Sequence, residues 1–262
     1  MNEMNENKIP LLRQMNRTPE YLFWVGCAGA FDPRYKKVTQ AFAKILIHAG
    51  VDFGCLGSEE TCTGDPARRA GNEMLYQMQA LQVIDTLNRY GIKKIITICP
   101  HCFNIFKNEY PDMGGHYEVV HHSTFLRQLM DEGRLKVDPA ILNRKTATFH
   151  DPCYLGRGND IYDDPRQVIT YTGIKLTEMK RSRSFSFCCG AGGAQMFKEA
   201  EPGHTEVYAE RTREALSTGA SLVATACPFC MTMLSDGIKK EGREDDTLNL
   251  DIAEIVAMAL GG

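Results

Sequence analysis

The sequence predicts an α/β protein of two pseudo-symmetric halves, each a small parallel sheet flanked by helices. Three observations carry this expectation. Short apolar strands alternate with helical stretches from Tyr21 onward, a pattern that implies parallel pairing and right-handed crossovers. The same order of elements returns after Lys145. Finally, ten cysteines fall into two groups of five at nearly equal intervals: Cys27, Cys55, Cys62, Cys99 and Cys102, then Cys153, Cys188, Cys189, Cys227 and Cys230.

Taken in order, Tyr21 to Val25 reads as a buried strand ended by Gly26, because it is short and continuously apolar. Lys36 to His48 places Val38, Ala41, Phe42 and Ile45 on one helical face, with Gly50 as a stop. Val51 to Phe53 is a short strand. Pro66 opens a longer helix, with Met74, Met78, Leu81, Ile84 and Leu87 near helical spacing and its methionines filling core. Ile95 to Ile98 is a β-branched strand that runs into Cys99. A strand at Tyr117 to Val120 and a helix at Ser123 to Met130 join the halves. In the second half, Thr146 to Phe149 is a strand, Pro165 to Tyr171 a helix, Ile174 to Met179 a strand and His204 to Leu216 a helix. Leu222 to Ala226 is a strand ending at Cys227, and Ile252 to Leu260 is a final helix. The expected organisation is a disordered tail over 1–17, a first cysteine-rich domain over 18–145 and a second over 146–262. Cysteine loops at the carboxyl ends of the strands place any ligand in the crevice that open sheets use for binding, between the two halves.

Composition narrows the function. The chain is 43% hydrophobic and 24% charged, with a net charge of -3, which gives no argument for nucleic acid as a partner. It has no apolar run long enough to span a bilayer and no signal-peptide core at Met1 to Arg17. A cytoplasmic location is expected, with membrane contact made through a partner subunit. In a reducing compartment ten thiols suggest metal ligation or redox catalysis rather than disulfides.

The thiol spacing supports metal binding. Cys27 to Cys62 and Cys153 to Cys188 are both separations of 35 residues. Each group ends in Cys-Pro-aromatic-Cys, at Cys99-Pro100-His101-Cys102 and Cys227-Pro228-Phe229-Cys230. Thiolates are the metal-binding form, and several of them converging need a cation to offset their repulsion. Both zinc and iron–sulfur clusters suit an all-sulfur site. The helix after each Cys-X-X-Cys offers free N–H groups and a positive dipole end. Cys188-Cys189-Gly190-Ala191-Gly192-Gly193 needs an unusual backbone path, which its glycines permit.

Cys153…Cys188-Cys189-Gly190…Cys227-X-X-Cys230, with His150-Asp151-Pro152-Cys153-Tyr154-Leu155-Gly156-Arg157, resembles the cysteine-rich CCG domain of heterodisulfide reductases and related iron–sulfur oxidoreductases. The resemblance covers Tyr21 to Gly237 as two copies. It implies that Cys153, Cys188, Cys189, Cys227 and Cys230 hold a non-cubane [4Fe–4S] cluster. The first copy has Thr61-Cys62-Thr63-Gly64 in place of Cys-Cys-Gly, so only Cys27, Cys62, Cys99 and Cys102 match the framework. Those four would hold a second [4Fe–4S] cluster or zinc, and Cys55 is read as a buried free thiol. Cys62 to Arg69 and Cys99 to Asn104 are similar to the branch linked to electron-transfer flavoprotein and quinone oxidoreduction. That implies an electron-carrying subunit that works with a ferredoxin-type iron–sulfur or membrane subunit, and with electron-transfer flavoprotein as a possible partner. Disulfide reduction at the cluster and a zinc-stabilised assembly module are the two alternatives. Around these motifs, His150 is expected to act on a cluster sulfide, carry a proton or serve a structural role; His101 to tune potential. His121-His122 are expected to be a satisfied polar pair near the junction of the halves. Arg157, Arg181 and Arg183 flank the second cysteine loop, to attract an anion or form a basic rim.

Overall fold

The computed structural model describes residues 9–199 and 202–260. The first half carries strands β1 (Tyr21–Trp24), β2 (Phe53–Gly54), β3 (Lys94–Thr97) and β4 (Glu118–His121). Its helices are α1 (Gly26–Phe31), α2 (Tyr35–His48), α3 (Asp65–Arg69), α4 (Glu73–Arg89), α5 (Pro100–Asn104) and α6 (His122–Asp131). A short α7 (Pro139–Leu142) links the halves. The second half carries β5 (Thr146–Phe149), β6 (Lys175–Leu176), β7 (Leu222–Thr225) and β8 (Leu248–Asp251), with α8 (Asp163–Tyr171), α9 (Val207–Leu216), α10 (Pro228–Lys240) and α11 (Ile252–Ala259).

Both sheets are wholly parallel and share one topology, β2-β1-β3-β4 and β6-β5-β7-β8. The registers correspond as well: Leu22 lies opposite Ile95 in the first sheet, and Ala147 opposite Leu222 in the second. The expected pseudo-symmetric α/β architecture is therefore present.

Successive strand side chains point to opposite faces, and here each face meets a different core. Phe23, Ile96, Ala147, Phe149, Leu222 and Ala224 join one central cluster with α2, α6, α8 and α11. Leu22, Trp24 and Ile95 turn the other way, onto Tyr76, Ala80, Val83 and Leu87 of α4. Val223 likewise faces α9 and α10 through Ala215, Leu234 and Ile238. The layer between the sheets is crossed: α2 of the first half packs on α11 of the second, and α8 of the second on α6 of the first. Arg34 adds a two-pronged ion pair to Glu254 across the halves, 2.7 Å on each side.

Polar groups at this junction are paired. Asp251 caps α11 by accepting from the Ala253 N–H at 2.9 Å, while Glu254 accepts from the Asp251 N–H at 3.0 Å. The His122 ring bonds Asp251 at 2.9 Å and His121 at 3.2 Å, and His121 bonds Ser123 at 2.8 Å. Tyr35 meets the chain at Asp251, 3.2 Å away, and donates to the Ile98 carbonyl at 2.8 Å. All five side chains are buried, so the histidine pair is a satisfied structural network, as its sequence position suggested.

Several elements depart from the sequence reading. Residues 9–17 are not a tail: Leu12 is buried, Leu11 bridges to Cys55, and the Cys55 N–H donates to the Pro10 carbonyl at 2.8 Å. Residues 1–8 lie outside the described residues. The helix opened by Pro66 stops after one turn at Arg69. Gly71, at φ 86°, turns the chain, and Asn72 caps α4 by accepting from the Leu75 N–H. Met74, Met78 and Leu81 then face solvent, at 74%, 63% and 55% exposure. Ile84 and Leu87 of the expected stripe are buried, but over the first turns the core-facing side is Tyr76, Ala80 and Val83 instead. β8 was not expected, because Leu248-Asn249-Leu250-Asp251 is short and half polar. It forms because β7 offers it a parallel edge.

Helices α9 and α10 approach tightly at Gly237. A Cβ added there would stand 2.0 Å from Thr212 Oγ1 and 2.8 Å from Thr212 Cβ. Gly237→Ala is expected to destabilise the protein by about 1–3 kcal/mol through overpacking. That outweighs the roughly 1 kcal/mol gained in helix propensity. A lower urea midpoint with an unchanged slope would register it.

Candidate metal centre

The thiols come from equivalent places in the two halves. Cys27 follows β1 and Cys153 follows β5, Cys62 and Cys188 lie in the loops after β2 and β6, and Cys99 and Cys227 follow β3 and β7. Cys99 and Cys227 occupy the cap positions of α5 and α10, with proline at the first helical position of each. Cys102 and Cys230 sit in the first turn. Each Cys-X-X-Cys is thereby aimed at one point beside a helix N-terminus.

The structure brings together all nine expected ligands, as two adjacent clusters. In the second half the free thiol of Cys153 lies beside that of Cys188, Cys188 beside Cys189, and Cys227 beside Cys230. Cys189 Sγ lies 3.3 Å from Cys230 Sγ, far beyond the roughly 2.05 Å of a disulfide. In the first half Cys27 pairs with Cys62, and Cys99 with Cys102. The details superpose by role. The Gly64 N–H donates to Cys62 Sγ at 3.4 Å, and the Gly190 N–H to Cys188 Sγ at 3.3 Å. Both glycines have a left-handed backbone, at φ 91° and 89°. Thr63 Oγ1 then lies 3.8 Å from Cys102 Sγ, matching the Cys189–Cys230 contact. Thr63 thus stands in the place of the fifth thiol. Cys55 is apart from both sets, buried near Glu60, and burial pushes its pKa up to about 11.

Electrostatics pick out which thiols ionise first. Hydrogen bonds from Cys153 and Cys189, with the Gly190 N–H, hold Cys188 far below the ordinary thiol range against the effect of burial. A hydrogen bond from Cys27, opposed by burial and helped by the Gly64 N–H, brings Cys62 to about 7. Burial raises Cys227, but bonds from Cys230 and His101 bring it down to about 5. Each set therefore contains a thiol whose neighbours favour its ionised form against the effect of burial.

Charged side chains far apart in sequence hold these loops. Asp151 accepts both prongs of the buried Arg166, at 2.7 and 3.0 Å, and also the Arg183 N–H at 2.7 Å. This fastens the Cys153 loop to the segment that leads into Cys188. Buried Arg211 donates from Nε to His150 Nδ1 at 2.9 Å, and from its other nitrogens to Glu214, the Arg181 carbonyl and Ser186. In the first half, Glu60 accepts from the Gly26 N–H at 2.5 Å and the Val25 N–H at 3.2 Å, shaping the Cys27 turn. Arg68 and Arg69 both pair with Glu109.

His150 has a ring nitrogen within 4.8 Å of the sulfurs of Cys189 and Cys230, a spacing that could suggest a metal ligand. Arg211 argues against ligation. A guanidinium only donates, so Nδ1 is the acceptor and the ring hydrogen sits on Nε2. Burial and the Arg211 charge hold the His150 pKa down to about 3, so the ring stays neutral. His150 is thereby fixed as an N–H donor beside the thiols. The arginines expected to form a free rim are engaged: Arg157 with the Ser186 carbonyl, Arg181 with Glu210 and Glu214, Arg183 with Asp163. Arg211 and Arg166 were not singled out from sequence, since no motif marks them, and Asp65, inside the Cys62 to Arg69 segment, was given no role of its own.

The donor set fits a metal–sulfur group. All ten cysteines are free. The candidate ligands are sulfur throughout, the Gly64 and Gly190 N–H groups point at two of them, and Gly26 lies against the Cys102 sulfur. A Cβ at Gly26 would come within 3.6 Å of that sulfur.

An all-parallel α/β repeat with a thiol cage at its strand ends defines a duplicated cysteine-rich metal-binding domain. Residues 21–107 and 147–235 each match the cysteine-rich domain CCG, and the chain belongs to that family. It is 43% identical, over 99% of its length and 37% of the relative's, to the "Probable iron-sulfur-binding oxidoreductase FadF" of Bacillus subtilis. It is 43% identical, over 96% of its length and 36% of the relative's, to the "EtfAB:quinone oxidoreductase" of Syntrophomonas wolfei. One chain of the dihydromethanophenazine:CoB–CoM heterodisulfide reductase of Methanosarcina barkeri is 35% identical, over 92% of this chain and 59% of that one. The chain spans little more than a third of the first two relatives. Among the described residues, no helix is long and apolar enough to cross a membrane.

Proposed function

We propose that this chain is the electron-carrying cysteine-rich part of an iron–sulfur oxidoreductase. Cys153, Cys188, Cys189, Cys227 and Cys230 hold a non-cubane [4Fe–4S] cluster, which supplies one-electron redox chemistry. Cys27, Cys62, Cys99 and Cys102 hold a second [4Fe–4S] cluster or zinc. The observation that carries this reading is the complete five-thiol set, closed by the 3.3 Å approach of Cys189 to Cys230. Five buried or half-buried thiols need a multi-metal cation to compensate them once ionised.

The chain's own groups have distinct tasks. Cys189, Cys227 and Cys230 are buried and exclude water, while Cys153 and Cys188 are half-buried and form the side nearest a partner. The Gly190 N–H directs hydrogen at the Cys188 sulfur, which favours a reduced, more negative centre. The names of the relatives support a circuit between electron-transfer flavoprotein and quinone, with a ferredoxin-type iron–sulfur module and a membrane subunit as partners. Protein purified anaerobically is expected to contain iron and acid-labile sulfide in equal amounts. A folded chain free of both would sink the proposal, and zinc alone would favour a structural module.

A further inference from the structure

Asn104, Asn108 and Asn159 close a ring of side-chain amides between the two thiol sets. Asn108 Nδ2 donates to Asn104 Oδ1 at 2.9 Å and to Asn159 Oδ1 at 3.1 Å. Asn159 Nδ2 donates to Asn104 Oδ1 at 3.1 Å and to the Tyr154 carbonyl at 2.7 Å. The outer partners fix how the amides point. A carboxylate and a carbonyl only accept, so Asn104 turns Nδ2 to Glu109, at 2.9 Å, and Asn159 turns Nδ2 to Tyr154. Both amide hydrogens of Asn108 and of Asn159 are then used, and both lone pairs of Asn104 Oδ1.

The ring joins segments that carry thiols of different sets. Asn104 is buried, two residues past Cys102 at the end of α5. A single π-helical turn over Ile105–Glu109 follows it. On an α-helix only residues three and four apart share a face. The wider turn brings Asn108 and Glu109 onto Asn104 together. Asn159 belongs to the loop after Cys153, where the Gly158 N–H donates to the Cys153 carbonyl at 2.9 Å. A Cβ at Gly158 would stand 3.1 Å from the Tyr154 carbonyl oxygen and 3.5 Å from Asn104 Oδ1, so glycine lets the halves approach here. The corresponding positions, six residues past Cys27 and two past Cys230, are Pro33 and Thr232. Neither carries an amide side chain, and Thr232 donates to the Pro228 carbonyl within its own helix at 3.2 Å. The link is one-sided.

We propose that Asn159 is a positioning residue for Cys153: through the amide ring it latches the Cys153 loop onto the segment behind Cys102 and holds the second site in register with the first. The inference rests on the cluster placement proposed above. Cys153 is half-buried and the end of its loop is exposed. The ring supplies the fixed support that burial supplies for Cys189, Cys227 and Cys230. Its amides are neutral, so the latch holds across a change of charge at either site, where an ion pair would strengthen or weaken.

The test follows the paramagnetic signal of the second site, and its loss of iron to a chelator, in the full anaerobic protein. Asn159→Ala is expected to shift the signal and to speed iron loss about tenfold, the scale of a few lost hydrogen bonds. Asn104→Ala changes the other half and is expected to do the same. The double variant is expected to lose iron no faster than either single one, because the two side chains act as one unit. Asn159→Gln keeps the amide and is expected to recover part of the effect. A second-site signal and release rate unchanged in both single variants overturn the inference. So do additive effects of the two, or a lowered urea midpoint in Asn159→Ala with no change at the second site. Wild-type protein without iron overturns the cluster assignment, and this inference with it; the other failures all occur in iron-loaded protein, which separates them.

Discussion

Replacing Cys189 with alanine is expected to abolish the cluster of the second half while leaving the fold intact. Bound iron should fall to whatever the first set retains, and the paramagnetic signal of the second site should disappear. Cys189 is the thiol that separates the two halves, since Thr63 takes its place in the first. That equivalence also supplies the structural control. The first half folds around a threonine at this position, so Cys189→Thr is expected to fold as well and to lose the same signal. Circular dichroism checks the fold, and iron and sulfide analysis checks the site. Full iron occupancy in Cys189→Ala would remove Cys189 from the ligand set. It would also leave the pairing of Cys188 with Cys153 as the centre of a four-thiol site.

The second large effect is expected at Arg211. Arg211→Met removes a buried cation whose donors serve His150, Glu214, Ser186 and the Arg181 carbonyl at once. Removing one member of a buried charged pair costs about 3–5 kcal/mol. The lower end of that range applies here, because Arg181 still pairs with Glu214 at 3.0 Å. The urea midpoint should fall accordingly. Arg211→Lys should restore little, since a single ammonium cannot replace a planar fork aimed at several acceptors. A midpoint within error of wild type would show that the network adds nothing net. The same substitution frees the His150 ring, so the second-site potential should shift even where the fold survives.

Much of this fold was legible in the sequence, for a specific reason. Strands such as Ile95-Ile96-Thr97 and Leu222-Val223-Ala224 are buried on both faces and so read as unbroken apolar runs. Each ends at a cysteine, which located the thiols before any geometry was known. β8 escaped because its strand character comes from pairing with β7 and not from its own residues. The break at Gly71 escaped because Pro66 is a helix-start signal and the apolar spacing of α4 was assigned to the same helix. Within the site, the equivalence of Thr63 with Cys189 needed the glycine geometry at Gly64 and Gly190 to align the two loops. The side chains that orient the loops act from far away along the chain: Arg211 on His150, Arg166 on Asp151, Asp65 on His101. Only folding brings them together, and no local spacing announces them.

The crossed layer of α2 with α11 and α8 with α6 has a consequence for how such a protein can arise and be dissected. Each half covers its inner sheet face with its own helices, as Phe42 of α2 covers Phe23, and the far sides of those helices are covered by the other half. A single repeat made alone would leave open to water the faces of α2 and α6, or of α8 and α11, that now meet the other half. Such a chain would be stable only as a dimer, with two copies related by the axis that now relates the halves. Fusion of two copies frees each to change without the other. One copy could then exchange a thiol for Thr63 and the other a histidine for Phe229, so that equal sites became unequal partners inside one molecule.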